Sequence, residues 1–133
     1  PMNIPKPLLT MIDAVTIQLR TEVGGKPARR TVTVTEVTGL DPKTQEISTN
    51  EVYRWNPKSD VFLYSGRSYI LEKNMESLGL REEEVQEELH RRKTVLEWMA
   101  RNNIRKHTDV TTVIRDYYAD PARVYRKARM GMP

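Results

Sequence analysis

The strongest sign of fold in the sequence is the stretch "AVTIQLRTEV", near the start of the chain, in which the apolar residues Val15, Ile17, Leu19 and Val23 alternate with the polar residues Thr16, Gln18, Arg20 and Glu22. Side chains with a period of two point to opposite faces of a β-strand, so this stretch predicts a half-buried strand. Gly24 and Gly25 follow, and glycine takes the positive φ angles that tight turns require. The next run, "ARRTVTVTEVTG", is also rich in β-branched residues, so residues 15–38 predict a β-hairpin. Val37 falls out of phase, which indicates a bulge or the end of the strand.

A second hairpin is predicted after the turn at "LDPKTQE". Its strands lie around 46–55 and 61–65, and "NPKSD" joins them. Parallel neighbours would need a crossover of about a dozen residues or more. The short loops therefore predict an antiparallel arrangement throughout.

The ends of the chain are predicted to be less regular. Prolines at positions 1, 5 and 7 fix φ and lack a backbone donor, so residues 1–13 predict an extended lead-in. The tail "RMGMP" is predicted to fray.

The hydrophobic period changes after Gly66, where apolar residues begin to recur with helical spacing. Glycine, N-cap residues and proline mark the predicted helix ends. The predicted helices are 67–79, 82–102, one that begins near Thr108 or Asp109, and one with Asp120 as N-cap and Pro121 in its first turn.

These elements predict an α+β fold with four antiparallel strands, in two hairpins, followed by about four helices. The chain is expected to divide into β hairpins over 1–66 and a helical part over 67–133.

Composition narrows the function classes. The 133 residues carry a formal charge of +4, and the charges are interspersed rather than gathered in one patch, which disfavours nucleic acid as a partner. No apolar run approaches the about 18 residues that span a bilayer. The absence of cysteine rules out a disulfide framework and agrees with a cytoplasmic setting. The local basic cluster is Arg123, Arg126, Lys127 and Arg129.

No catalytic or metal-binding residue is predicted. His90 and His107 are the only histidines, too few for a three-ligand metal site, and His90 is predicted on the solvated side of its helix. The sequence "VGGKPARR" has the glycines and lysine of a phosphate loop but the wrong spacing, and Pro27 stands where Ser or Thr is needed. A hairpin turn explains it better.

Arg29 and Arg30 are the only candidate binding residues. Because adjacent residues on a strand point to opposite faces, at most one of them serves a given ligand. A solvated hairpin shoulder is the simpler interpretation of the pair. The aromatic residues of the second hairpin suggest base stacking, but cross-strand packing explains them more economically.

Several phrases of the sequence together resemble a known family. They are "MNIPKPLLTMIDAVTIQLRTEVGGKPARRTVTVTEVTGLDP", "ISTNEVYRWNPKSDVF", "SGRSYILEK", "EELHRRKTVLEWMARNNI" and "VIRDYYADP", in this order. The chain resembles, from about Asn3 to Val124, the C-terminal end of archaeal secretion ATPases of the type II secretion and type IV pilus superfamily. This superfamily includes the archaellum motor ATPases.

The resemblance implies a fragment of a hexameric, RecA-like motor. Such motors hydrolyse ATP with Mg²⁺ and power the assembly of pili, archaella or secretion systems, peripheral to the cytoplasmic membrane and beside a membrane platform protein. Their Walker A and Walker B motifs precede the segment represented here, so this chain alone is expected to bind no cofactor and to be inactive. The resemblance implies that 1–66 completes the motor domain and that 67–133 is a helical subdomain. It does not choose between paralogues.

The resemblance leaves residue roles open. In the parent motor, Arg29 and Arg30 are expected near the nucleotide or at a subunit interface. The helix faces that bear Trp98, Tyr117 and Tyr118 are expected to pack mostly in the core, with contact to the platform protein as the alternative. Relatives often have Ser where Arg81 stands, and losing that N-cap costs about 1 kcal/mol. The isolated fragment is expected to self-associate through an exposed edge and the apolar lead-in around Leu8, Leu9 and Ile12. The alternative is a free-standing, non-enzymatic adaptor that binds a protein or nucleic acid partner.

Overall fold

The computed structural model describes residues 4–132. It shows an α+β fold with a four-stranded antiparallel sheet followed by four helices, which confirms that prediction. The strands occur in the spatial order β1-β2-β3-β4. Their bounds are β1 Ala14–Val23, β2 Lys26–Leu40, β3 Ile47–Asn56 and β4 Val61–Tyr64.

The register of the sheet is interrupted by irregularities on β2. Pairing with β1 shifts between Ile17 and Gln18. Pairing with β3 shifts twice, and one of these shifts lies between Val37 and Gly39. The irregularity predicted at Val37 is therefore confirmed, and β2 continues past it to Leu40.

The lead-in is partly helical, and the prediction of an extended segment is wrong there. A single helical turn, α1, spans Lys6–Leu9, and Pro7 lies in its first turn. Proline fits that position because the first amides of a helix have no partner within the helix. Residues 1–3 of the predicted lead-in lie outside the described residues.

The longest helix compensates for a poor N-cap. The side chain of Arg81 has only donor groups, so it cannot accept a hydrogen bond from the helix amides as an N-cap side chain does. Instead, the Glu84 carboxylate accepts the backbone N–H of Arg81 at 2.9 Å. The helices that follow the sheet are α2 Tyr69–Leu78, α3 Glu82–Arg101, α4 His107–Ala119 and α5 Pro121–Met130.

The last helix has a defined beginning and a defined end. Asp120 accepts the N–H of Arg123 at 3.0 Å and Pro121 occupies the first turn, as predicted. Gly131 adopts a left-handed φ of 65°, which ends the helix. The carbonyl of Met132 accepts the indole N–H of Trp98 at 2.9 Å. Hydrogen bonds thus hold the chain end through residue 132, where the sequence predicts fraying; the fraying itself stays a prediction, and position 133 lies outside the described residues.

The chain forms two compact units that divide between Ser77 and Leu78. Most of α2 therefore belongs to the same compact unit as the sheet, whereas the sequence predicts a division after residue 66. The assignment of the two parts to a motor domain and a helical subdomain stays a prediction. Each unit has its own core. The sheet unit buries Val52, Trp55, Thr33, Glu36 and Ser68, and the helical unit buries Val95, Trp98, Met99, Tyr117, Val124 and Ala128. Within residues 4–132, no helix has the length and apolar character needed to cross a membrane.

A buried carboxylate on β2 holds α2 against the sheet. Glu36 is 3% exposed and accepts the backbone N–H groups of Tyr69 at 2.8 Å and of Ile70 at 3.3 Å. It also accepts the Ser68 hydroxyl and, at 3.1 Å, the side-chain amide of Asn50. Amides at a helix N-terminus favour negative charge, so Glu36 caps α2 from another element, beside the Ser68 hydroxyl oxygen, which accepts the N–H of Leu71 at 3.3 Å.

These hydrogen bonds decide the ionisation of Glu36. Burial alone would raise its pKa, because it disfavours the charged form. The four donors, led by the hydroxyl of Ser68, favour the carboxylate and bring the pKa below its ordinary value. Glu36 is therefore a charged structural group at neutral pH.

Replacing Glu36 by Gln is expected to lower the free energy of unfolding of the sheet unit by about 1–3 kcal/mol at neutral pH, because buried donors lose a charged acceptor. The folded pKa of Glu36 lies below its unfolded value, so its contribution is present at neutral pH and disappears as pH falls through the folded pKa. Urea titrations should show this difference shrinking in acid. Glu22→Gln, an exposed position on β1, is the control; equal destabilisation of both variants would contradict the role of Glu36.

The helical unit is expected to depend on Trp98, which is 2% exposed. Trp98→Ala should cost about 3–5 kcal/mol, since it leaves a cavity and removes the partner of the Met132 carbonyl. Leu96→Ala, two positions away on α3 and 59% exposed, should cost less than about 1 kcal/mol. Urea denaturation followed by circular dichroism measures both, and similar losses would contradict the assignment of the core.

Candidate functional site

The two candidate arginines lie on β2 and face opposite sides of the sheet. Arg30 pairs across the strands with Leu19, and Arg29 pairs with Arg20. The structure therefore does not bring the two guanidinium groups into one site. Each belongs to a different cluster of charges.

Arg30 is held by an acidic turn residue of its own sheet. Its Nε and Nη2 donate to the two carboxylate oxygens of Asp60, at 2.7 Å and 2.8 Å. The indole N–H of Trp55 donates to the same carboxylate at 2.9 Å. Asp60 is the last residue of the turn between β3 and β4, and its φ of 52° is a left-handed conformation that aspartate tolerates in turns. A two-point ion pair of this kind is strong and directional.

The electrostatics agree with that geometry. Hydrogen bonds from Arg30 and then Trp55 lower the pKa of Asp60 to about 2. The same pair raises the pKa of Arg30, first through the hydrogen bond to Asp60. Arg30 therefore joins β2 to the β3–β4 turn, and the side of its guanidinium that could bind a ligand is already bonded to Asp60.

Arg29 lies in a different environment. Its side chain is exposed, and it stands directly opposite Arg20 on β1. Neither guanidinium forms an ion pair with any acidic group among residues 4–132. The two arginines line a shallow concavity of about 380 Å³ together with Thr21, Pro27 and Ala28. Of the predicted pair, Arg29 is the one that remains available to a ligand.

The aromatic residues of the second hairpin pack across the strands. Tyr53 pairs with Tyr64, and their ring centroids are 5.1 Å apart. Trp55 pairs with Phe62 and is buried. This arrangement supports the packing interpretation that the sequence favours over base stacking.

The basic cluster of α5 is divided between two faces of the helical unit. Arg123 lies near Asp116 at 3.6 Å, and the Lys127 ammonium lies 5.5 Å from the centre of the Trp98 ring. The other two arginines line a groove of about 440 Å³ between α3 and α5. Its lining residues are Glu87, Arg91, Ala122, Tyr125, Arg126, Arg129 and Met130.

The second groove of the helical unit lies between α3 and α4 and is apolar, with a volume of about 170 Å³. Tyr117 forms part of its floor and donates its hydroxyl to Glu88 at 3.0 Å. Burial, followed by this bond to a carboxylate, raises the pKa of Tyr117. The tyrosine is therefore a neutral core residue with a satisfied hydroxyl.

The two histidines lie apart from one another. His90 is exposed on α3 with its ring 6.4 Å from that of Tyr125, and His107 is the first residue of α4. In residues 4–132, no three His, Cys, Asp or Glu side chains come together as a metal site would require.

Comparison with known proteins finds three similar sequences, all from the archaeon Methanocaldococcus jannaschii and all uncharacterized. MJ1287 is 44% identical over 92 residues, which is 69% of this chain and 34% of that protein. MJ0781 is 31% identical over 129 residues, or 97% of this chain and 18% of that protein. MJ0900 is 28% identical over 122 residues, or 89% of this chain and 22% of that protein.

The chain thus spans about a third of the first relative and about a fifth of the other two. No protein-family model matches it.

Sequence reasoning did not identify the roles of Glu36 and Asp60, the two carboxylates that hold the elements of the sheet unit together. Glu36 lies in "TVTVTEVTG", where a lone acid among β-branched residues is a weak sign of a buried charge with distant partners. Asp60 lies in "NPKSD", which predicts a turn but not the arginine that the turn would reach. Both partnerships join residues about thirty positions apart in sequence.

Arg29 and Arg30 are expected to respond differently to the same substitution. Arg30→Gln should lower the melting temperature by a few degrees, because the substitution removes the guanidinium that forms the ion pair with Asp60. Arg29→Gln should leave it unchanged or raise it, because it removes a like charge opposite Arg20. Thermal denaturation of the two matched variants measures this.

The effect of Arg30→Gln should also depend on pH. Asp60 has a pKa of about 2 in the folded protein, below its ordinary 3.8. The ion pair therefore contributes its full stabilisation at pH values above 3.8, and this stabilisation is lost as the pH falls towards 2. A larger loss of stability from Arg29→Gln than from Arg30→Gln would show that the two roles are assigned the wrong way round.

Proposed function

We propose that this chain is the C-terminal portion of an archaeal type II/IV secretion-type ATPase, a motor that powers pilus, archaellum or secretion assembly. The observation that carries the proposal is the match along 97% of this chain to only 18% of an archaeal protein. Such a match is expected of a module within a larger polypeptide. It agrees with the resemblance to secretion ATPases along nearly the whole chain.

In this proposal the chain supports catalysis that takes place elsewhere in the parent protein. Gly24 and Gly25 form the turn between β1 and β2, and the sequence has no Walker A motif that could cradle phosphates. ATP and Mg²⁺ would be held by the preceding part of a RecA-like domain. The four strands would complete that domain, and the helices would form a subdomain beside it.

Arg29 is the residue through which this segment would contribute to the motor. Its guanidinium is exposed, whereas that of Arg30 is engaged with Asp60. A guanidinium fork suits phosphate and carboxylate groups equally well. In a hexamer, Arg29 would approach a nucleotide or the adjacent subunit. The assembled motor would lie at the cytoplasmic membrane beside its platform protein.

The second candidate function is a non-enzymatic adaptor. The observation in its favour is β1, a ten-residue edge strand whose residues 14–20 are exposed. Such an edge can take a partner with no nucleotide involved. The adaptor and the motor differ in whether a phosphate-binding loop is encoded upstream of this segment.

The motor proposal predicts that the 133-residue chain alone releases no phosphate from Mg-ATP above background, whereas the parent protein does. Replacing the Walker lysine of the parent should abolish its turnover. Replacing Arg29 of the parent by Gln should slow turnover or assembly, whereas Lys26→Gln, on the same hairpin, should not. A parent gene without a phosphate-binding loop upstream, or turnover by the short chain, would contradict the proposal.

A further inference from the structure

The first strand of the sheet is an edge with neither face covered. Within residues 4–132, β1 pairs with β2 alone, so its other side presents unpaired backbone groups. One face of β1 carries a row of apolar side chains in which Val15 is 42% exposed, Ile17 51% and Leu19 53%. Isolated exposed apolar residues are common, but a continuous row along an edge strand is typical of an interaction surface.

The opposite face of the same edge carries a net positive charge, since two arginines lie there with a single acid, Glu22, that forms no ion pair with either of them. Arg20 and Arg29 stand directly across from one another and have no acidic partner among the described residues. Like charges in this arrangement destabilise a sheet, and a ligand of opposite charge relieves them. The adjacent Arg30 donates to the carbonyl of Arg29 at 3.0 Å and is itself held by Asp60. The backbone that positions Arg29 is therefore anchored.

We propose that β1 is a docking edge for an extended polypeptide segment in which apolar residues alternate with aspartate or glutamate. Added beside β1, such a segment would pair with its backbone groups. Its apolar side chains would cover Val15, Ile17 and Leu19, and its carboxylates would reach Arg20 and Arg29 on the other face. The alternation follows from the period of two in β1 itself.

Three features of the molecule favour this occupant. The edge lacks the usual protection, since "AVTIQLRTEV" contains no proline or lysine. At ten residues, β1 offers a long ladder, whereas the other edge, β4, has four. The charge at the edge selects an acidic segment over a basic one. The arginine concavity is shallow and lies on the sheet surface, which suits side chains of a docked chain better than an enclosed small molecule.

The docking edge is a property of this sheet and does not depend on the motor assignment. It predicts that the 133-residue chain binds a fluorescein-labelled peptide of the length of β1 in which valine alternates with glutamate. Fluorescence anisotropy should show the binding, and added salt should weaken it. A matched peptide in which lysine replaces glutamate should bind more weakly or not at all.

Variants separate the two faces of the edge. The double variant Arg20→Gln/Arg29→Gln should bind the glutamate peptide about three- to tenfold more weakly, with an unchanged or higher melting temperature. Ile17→Ser should also weaken binding, because its side chain lies on the apolar face. Lys26→Gln, an exposed cation across from Val23 on the hairpin, should bind as the wild type does.

Three results would overturn the proposal. The first is equal affinity for the glutamate and lysine peptides, or binding of neither. The second is unchanged binding by the double arginine variant. The third is a wild-type dimer in sedimentation that Ile17→Ser converts to a monomer, because the occupant of the edge would then be a second copy of this chain.

Discussion

The sheet unit depends on one buried charge, the carboxylate of Glu36. It accepts hydrogen bonds from β3 through Asn50 and from the beginning of α2 through Ser68, Tyr69 and Ile70. A helix N-terminus and a buried acid each carry a penalty alone, and here each satisfies the other. This interaction explains why α2 belongs to the same compact unit as the strands, although the sequence changes period before it begins.

A second carboxylate, Asp60, determines which charges are left for other molecules. It engages Arg30 and Trp55, and so joins β2 to the turn between β3 and β4. Arg29 and Arg20 remain on the other face without an acidic partner in the described part of the chain. The same hairpin thus has a satisfied face that stabilises the fold and an unsatisfied edge that can recruit a partner. A nucleotide-dependent motor and a strand-binding adaptor would both make use of such an edge.

Local patterns predicted most of the elements, and long-range contacts account for what they missed. The alternation in "AVTIQLRTEV" predicted β1, and Asp120 with Pro121 predicted the beginning of α5, because the physical causes lie within a few residues. The turn at α1 was missed because proline suits both an extended segment and the first turn of a helix. The sequence placed Arg29 and Arg30 on opposite faces but could not say which would meet an acid, since Asp60 lies thirty residues away. The anchoring of the chain end through Trp98 is likewise a contact between distant positions.

The pKa of Glu36 reports directly on the interactions that hold the sheet unit together, because burial and hydrogen bonding shift it in opposite directions. Side-chain carboxyl carbon chemical shifts, followed by NMR across an acid titration, measure that pKa in the intact fold. We expect a pKa below the ordinary 4.5, with the amide resonances of Tyr69 and Ile70 titrating at the same pH. A value above 4.5 would mean that desolvation dominates, that the cap on α2 is not formed, and that the sheet unit is held together in another way.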